Sequence, residues 1–287
     1  MGCVQPYAVN DLNFLRWHPC AAVVLPFQAP LAYCQPAGPA CALYAEASPY
    51  AEYPKLPLVD GDQVKFFINS DDAIAIPAGF ASLGLGLVQN GVLVVANAGT
   101  LASLPGLTPN TFYLRGSLNV NCWLDGVYWP VIYDLNDKHV LLIANPVQVM
   151  NLQNWQAETV WVRYRHPSSL YGVNYSALPA FYQEFRLALS MFQPTFPTDE
   201  TTYTDANNYT RTTKLVVGRT YEIQTDFMDQ ATFDAAAMMF THRELFIDGK
   251  RVKAQGSLAP EYLPGSIWVT AKGKVLDQDF ARRVSQC

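Results

Sequence analysis

Turn signals cut most of this chain into pieces of strand length. Asp60-Gly61, Asn90-Gly91, Asp125-Gly126, Asn136-Asp137 and Asp248-Gly249 each interrupt an apolar or alternating run. Such pairs accept the backbone geometry of tight turns. The clearest run is Glu-Thr-Val-Trp-Val-Arg-Tyr-Arg at 158–165, which sends Val160, Val162 and Tyr164 one way and Trp161, Arg163 and Arg165 the other. A period of two is what a strand imposes. Further runs at 63–69, 73–76, 83–87, 92–96, 112–118, 121–124, 127–133 and 139–143 read as strands. So do those at 181–189, 215–217, 219–225 and 244–252, and a last hairpin is expected around Lys272-Gly273. One segment, about 229–242, has helical spacing: Asp229 can cap it, and Phe233, Ala236, Ala237 and Phe240 fall on one face. Many short strands with a single helix predict an all-β fold of sandwich type.

Three regions are expected. Residues 1–58 form an extended arm, 59–152 a first β-sandwich domain, and 153–287 a second one that carries the helix; the Gln/Asn-rich piece 151–156 marks the boundary. Prolines recur through the arm, so it cannot run down the middle of a sheet, although 21–27 and 41–47 suit edge strands. Aromatic residues between the prolines argue against disorder. The arm is therefore expected to pack on neighbouring subunits through Phe14, Trp17, Phe27, Tyr33 and Tyr44.

Composition narrows the partners. Charged residues make up 15% of the 287, against about 25% in an ordinary soluble domain, and a charge-poor surface is explained by burial against other chains. The net charge is −5, with five Lys/Arg against ten Asp/Glu before residue 153 and fourteen of each after it. Neither part has the basic excess that direct nucleic-acid binding needs. No membrane association is expected, because the apolar run 21–33 is too short to span and holds Pro26 and Pro30. The six cysteines show no two-residue spacing, and no structural disulfide is expected.

Reaction chemistry is not evident. His18, His139, His166 and His242 stand apart from one another in sequence and match no zinc-ligand spacing. His242 is placed to complement the helix dipole as a cation. The acidic pairs Asp71-Asp72 and Asp199-Glu200 read as solvated loop residues. Gly84-Leu-Gly86 lacks the third glycine and following helix of a nucleotide loop. No catalytic residue, metal ligand or cofactor is assigned, and the chain is read as a non-enzyme. The most suggestive cluster is Trp123, Tyr128 and Trp129 around one turn. Aromatic platforms of this kind stack on sugars or sit at interfaces, although core packing is their commoner use.

The stretch 139–255 resembles tail-module structural proteins of Bacteroidetes-type tailed phages and prophages. The resemblance is carried by Leu142-Ile-Ala-Asn-Pro146, Trp161-Val-Arg-Tyr-Arg165, Tyr171-Gly-Val-Asn-Tyr175 and Phe185-Arg-Leu187. It continues through Phe192-Gln-Pro-Thr-Phe-Pro197 and Tyr221-Glu-Ile-Gln-Thr-Asp-Phe-Met228. It implies a virion component of the tail or baseplate, made in the host cytoplasm and assembled with copies of itself and other tail proteins. It transfers no active-site residues. The alternative expectation is a carbohydrate- or receptor-binding module used in host adsorption.

Overall fold

The computed structural model describes residues 14–15, 17–24, 56–59, 61–70, 83–89, 92–105, 112–119, 126–136, 139–150, 159–168, 170, 175–178, 180–265, 268–280 and 282–284. In chain order the first strands are β1 (Trp17–Val24), β2 (Leu56–Leu58), β3 (Gln63–Ser70), β4 (Leu83–Gln89), β5 (Val92–Val95), β6 (Gly99–Pro105), β7 (Phe112–Asn119), β8 (Gly126–Asp134), β9 (His139–Ala144) and β10 (Val147–Val149). There follow β11 (Val160–Arg165), β12 (Gln183–Leu187), β13 (Leu189–Met191), β14 (Thr198–Thr204), β15 (Thr210–Val217) and β16 (Thr220–Thr225). Helix α1 (Gln230–Met239) precedes β17 (Glu244–Ile247), β18 (Lys250–Ala254), β19 (Ala259–Tyr262), β20 (Val269–Asp277) and β21 (Arg282–Val284). The fold is all-β, as the turn spacing predicts, and among the described residues no helix is long and apolar enough to cross a membrane.

The described strands form sheets of seven, eleven and three strands. In the seven-stranded sheet, β8 pairs with β4 on one flank and with β9 and β10 on the other; β1 extends from β9, and β2 runs parallel to β10. The eleven-stranded sheet runs β13-β16-β20-β18-β17-β11-β12-β3-β7-β6, with β19 also on β20. The two sheets face each other across one apolar core, where Trp17 of β1 meets Phe66 of β3 at 5.0 Å between ring centroids. That core draws on both sides of residue 152, from Leu85, Ile132 and Val147 to Val162, Phe185 and Val275.

Local chemistry explains the elements. On β11, Val160, Val162 and Tyr164 are buried and the residues between them half-buried, as the alternation requires. Asp248 and Gly249 both take positive φ, 46° and 75°, in the turn from β17 to β18. Asp229 caps α1 by accepting from the Thr232 amide at 2.7 Å, and Phe233, Ala236, Met239 and Phe240 bury the helix in the main core. Gly84 and Gly86 serve packing: on either, a Cβ would lie 3.0 Å or less from the ring of Tyr133 on the neighbouring strand.

Several expectations are corrected. Phe14 and Trp17 lie in the chain's own core instead of reaching out, since Phe14 stacks on Phe185 at 3.7 Å and Trp17 is 0% exposed. Strand β1 overlaps the edge strand expected at 21–27; among the described residues it pairs with β9 alone, and its register shifts between Pro19 and Val23. Lys272-Gly273 is not a turn, because β20 runs straight through it, paired there to Gln224 and Ile223 of β16. Asp199 and Glu200 lie on β14 and not in a loop. Phe27, Tyr33, Tyr44 and Trp123, the cysteine side chains, the runs 73–76 and 121–124, and the boundary 151–156 lie outside the described residues.

Candidate functional site

The aromatic turn does not present a platform in the part described. Tyr128 and Trp129 are consecutive on β8 and point to opposite faces. Tyr128 is 4% exposed in the main core, and Trp129 packs against a second cluster around Val131 and Tyr133. Both therefore serve packing. Among the described residues no three His, Cys, Asp or Glu side chains gather as a metal ion would require.

Sequence reading misses a directed chain of buried polar groups beneath β11. The His242 ring nitrogen Nδ1 lies 3.1 Å from the Met238 carbonyl. A carbonyl only accepts, so Nδ1 carries the proton and donates. In the neutral ring Nε2 is then an acceptor, and it takes the Tyr175 hydroxyl proton at 3.1 Å. The Tyr175 oxygen accepts from Gln183 Nε2 at 2.7 Å, and Gln183 Oε1 accepts from the Tyr164 hydroxyl at 3.1 Å. The four hydrogen bonds therefore share one direction, from Tyr164 through Gln183, Tyr175 and His242 to the Met238 carbonyl.

The titration shifts agree with that order. Burial lowers the pKa of His242 to about 4, with the nearby His166 adding to the effect against the Met238 and Met239 backbone contacts. Burial raises that of Tyr175 to about 12 and that of Tyr164 well above its ordinary value. At neutral pH His242 is uncharged. The cationic role expected for it at the helix end is corrected, although it still satisfies a terminal carbonyl of the helix as a donor.

The outer face of β11 carries the opposite chemistry. The Arg163 guanidinium carbon sits 4.3 Å from the Phe246 ring centroid and 4.6 Å from that of Tyr182. Arg165, two residues on, lies 5.8 Å from the same Tyr182 ring, and Arg186 lies 5.8 Å from Trp161. The Tyr182 hydroxyl donates to Glu244 at 2.7 Å; that carboxylate raises the phenol pKa, while Arg163 and Arg165 pull it down. Arginine stacked on tyrosine and tryptophan is the composition of contact hot spots between proteins.

A third feature stands away from both cores. Strands β14 and β15 form a ribbon whose turn is built by Asp205, which accepts from the amides of Asn207 at 2.9 Å and Tyr209 at 3.0 Å. Every residue of β14 is exposed, so its two faces both meet solvent. Tyr203 and Tyr209 are 50% and 68% exposed. Among the described residues only β21 joins the ribbon, at its base, opposite Leu215, Val216 and Val217. A groove of about 650 Å³ runs along that base past Asp199, Val216, Arg251 and Phe280. The threonine-rich sequence of 198–213 is the signal that marks the ribbon, because β-branched residues favour strands.

A scan against models of known protein families and a search of curated proteins return no match to this chain.

Proposed function

We propose that this chain is a repeated structural subunit of a virion tail or baseplate, acting without catalysis and joined to its copies through the β14–β15 ribbon. The supporting observation is the two-sided exposure of β14. Beyond the β21 pairing at its base the ribbon is two-stranded, a form at best marginally stable in water, and it presents two exposed tyrosines and no buried face on β14. A partner surface supplies the missing contacts. The low charge content points the same way, as does the resemblance carried by 139–255. The adsorption-module reading has less behind it, since Tyr128 and Trp129 are committed to packing.

Purified particles from the phage or prophage encoding this chain test the proposal. Mass spectrometry should find the protein in particles at a fixed multiple of other tail components, and electron microscopy with a labelled chain should place it on the tail. Its presence in infected-cell lysate but never in particles contradicts the proposal.

A further inference from the structure

We propose that Arg163 and Arg165 together receive a carboxylate of β14, Asp199 or Glu200, from a second copy of this chain, an inference that rests on reading the ribbon as an assembly arm. The two arginines are two residues apart on β11 and so share its outer face. Ring contacts with Tyr182 and Phe246 hold them in place; Arg165 also hydrogen-bonds the Tyr182 hydroxyl, which leaves most of the five N–H donors of each guanidinium for another acceptor. Their cross-strand carboxylates are already engaged. Glu184, opposite Arg163, pairs with Lys65 at 3.0 Å, and Glu244, opposite Arg165, accepts from Tyr182.

Among the described residues neither arginine has an ion-pair partner, whereas Arg186 and Arg219 each hold an aspartate. The Arg165 Nε is buried and has no acceptor among the described residues. Two half-buried like charges without an anion form a site whose complement is an acceptor of negative charge, and a carboxylate matches the guanidinium fork.

The same chain offers that carboxylate on its free ribbon. Asp199 and Glu200 are exposed and have no cation within ion-pair distance among the described residues; Glu200 accepts only from the Thr212 hydroxyl. As neighbours on a strand they point to opposite faces, so one of them meets the arginine pair. Donor and receiver are different patches of one surface. Such a contact is head-to-tail and builds rings or filaments instead of closed two-fold dimers.

Sedimentation velocity on the full chain tests this with charge reversals. The face variant carries Arg163→Glu and Arg165→Glu, the ribbon variant Asp199→Lys and Glu200→Lys, and circular dichroism checks that each is folded. Arg163→Gln with Arg165→Gln replaces the face variant should that fail to fold. Each pair of substitutions alone should weaken self-association roughly thirty-fold or more. An equimolar mixture of the face and ribbon variants should recover it, because each reversed patch then meets a complementary one. Parent-like association of both reversed variants overturns this inference and leaves the assembly reading standing. The same holds for folded variants whose mixture does not recover. A parent that stays monomeric at every concentration overturns both.

Discussion

Arg186 holds Asp62 through two parallel hydrogen bonds of 2.8 Å, across 124 residues of chain. The pair sits beside the only ladder contact between β12 and β3, Glu184 opposite Lys65. Asp62 also accepts from the Val59 amide at 2.9 Å, and Arg186 donates to Thr159 at 3.2 Å. With side-chain exposures of 11% and 7%, removing either partner leaves a buried charge uncompensated. Asp62→Ala or Arg186→Ala should each cost about 3–5 kcal/mol, and the double variant much less than the sum. Urea denaturation of the three variants measures this; additive losses contradict the pairing.

Stability should fall as the solution is acidified past His242's range. Its folded pKa of about 4 lies below the unfolded value near 6.5, so between those values the unfolded chain binds more protons. The stabilisation is complete above about pH 6.5 and is lost as pH falls toward 4, by about 3 kcal/mol in all. His242→Phe should flatten that part of the profile. An unchanged slope in the variant assigns the acid sensitivity to other groups.

The helix is docked by its aromatic face. Phe233 and Phe240 are each 8% exposed in the main core, and truncating either to Ala should cost roughly 3–5 kcal/mol. Replacing the cap, Asp229→Ala, should cost about 1 kcal/mol. Thermal melts of these variants rank the losses, and wild-type-like melting of the phenylalanine variants contradicts the docking.

Gly84 tests whether β4 needs bare backbone. A methyl there would meet the Tyr133 ring at 2.6 Å, while Tyr133 is tied to the Ala96 carbonyl by its hydroxyl. Gly84→Ala should destabilise by about 1–3 kcal/mol through overpacking. Shortening the ring, with Tyr133→Leu in the same chain, should recover part of that loss.

What the sequence makes legible is local. Alternation along 160–165, the Asp229 cap and the Asp248-Gly249 turn depend on neighbours within a few residues, and they appear where expected. The contact of β12 with β3 and the Tyr175–His242 hydrogen bond depend on pairings 119 and 67 residues apart, which no spacing rule carries. The burial of Phe14 and Trp17 in the chain's own core is hidden for a related reason: proline density bars a central strand but not an edge strand that seals its own core. Strand β14 is not legible as a strand by alternation because both its faces are wet, which removes the apolar period by which strands are recognised.

The central claim is that the β14–β15 ribbon joins copies of this chain. Sedimentation velocity should compare the full chain with a variant in which residues 202–212 are replaced by Asn-Gly, keeping the Asp199–Val216 and Glu200–Leu215 pairs at the ribbon base. The account predicts that the parent forms oligomers and that the shortened chain, with an unchanged melting temperature, remains a monomer. A shortened chain that assembles as well as the parent contradicts it.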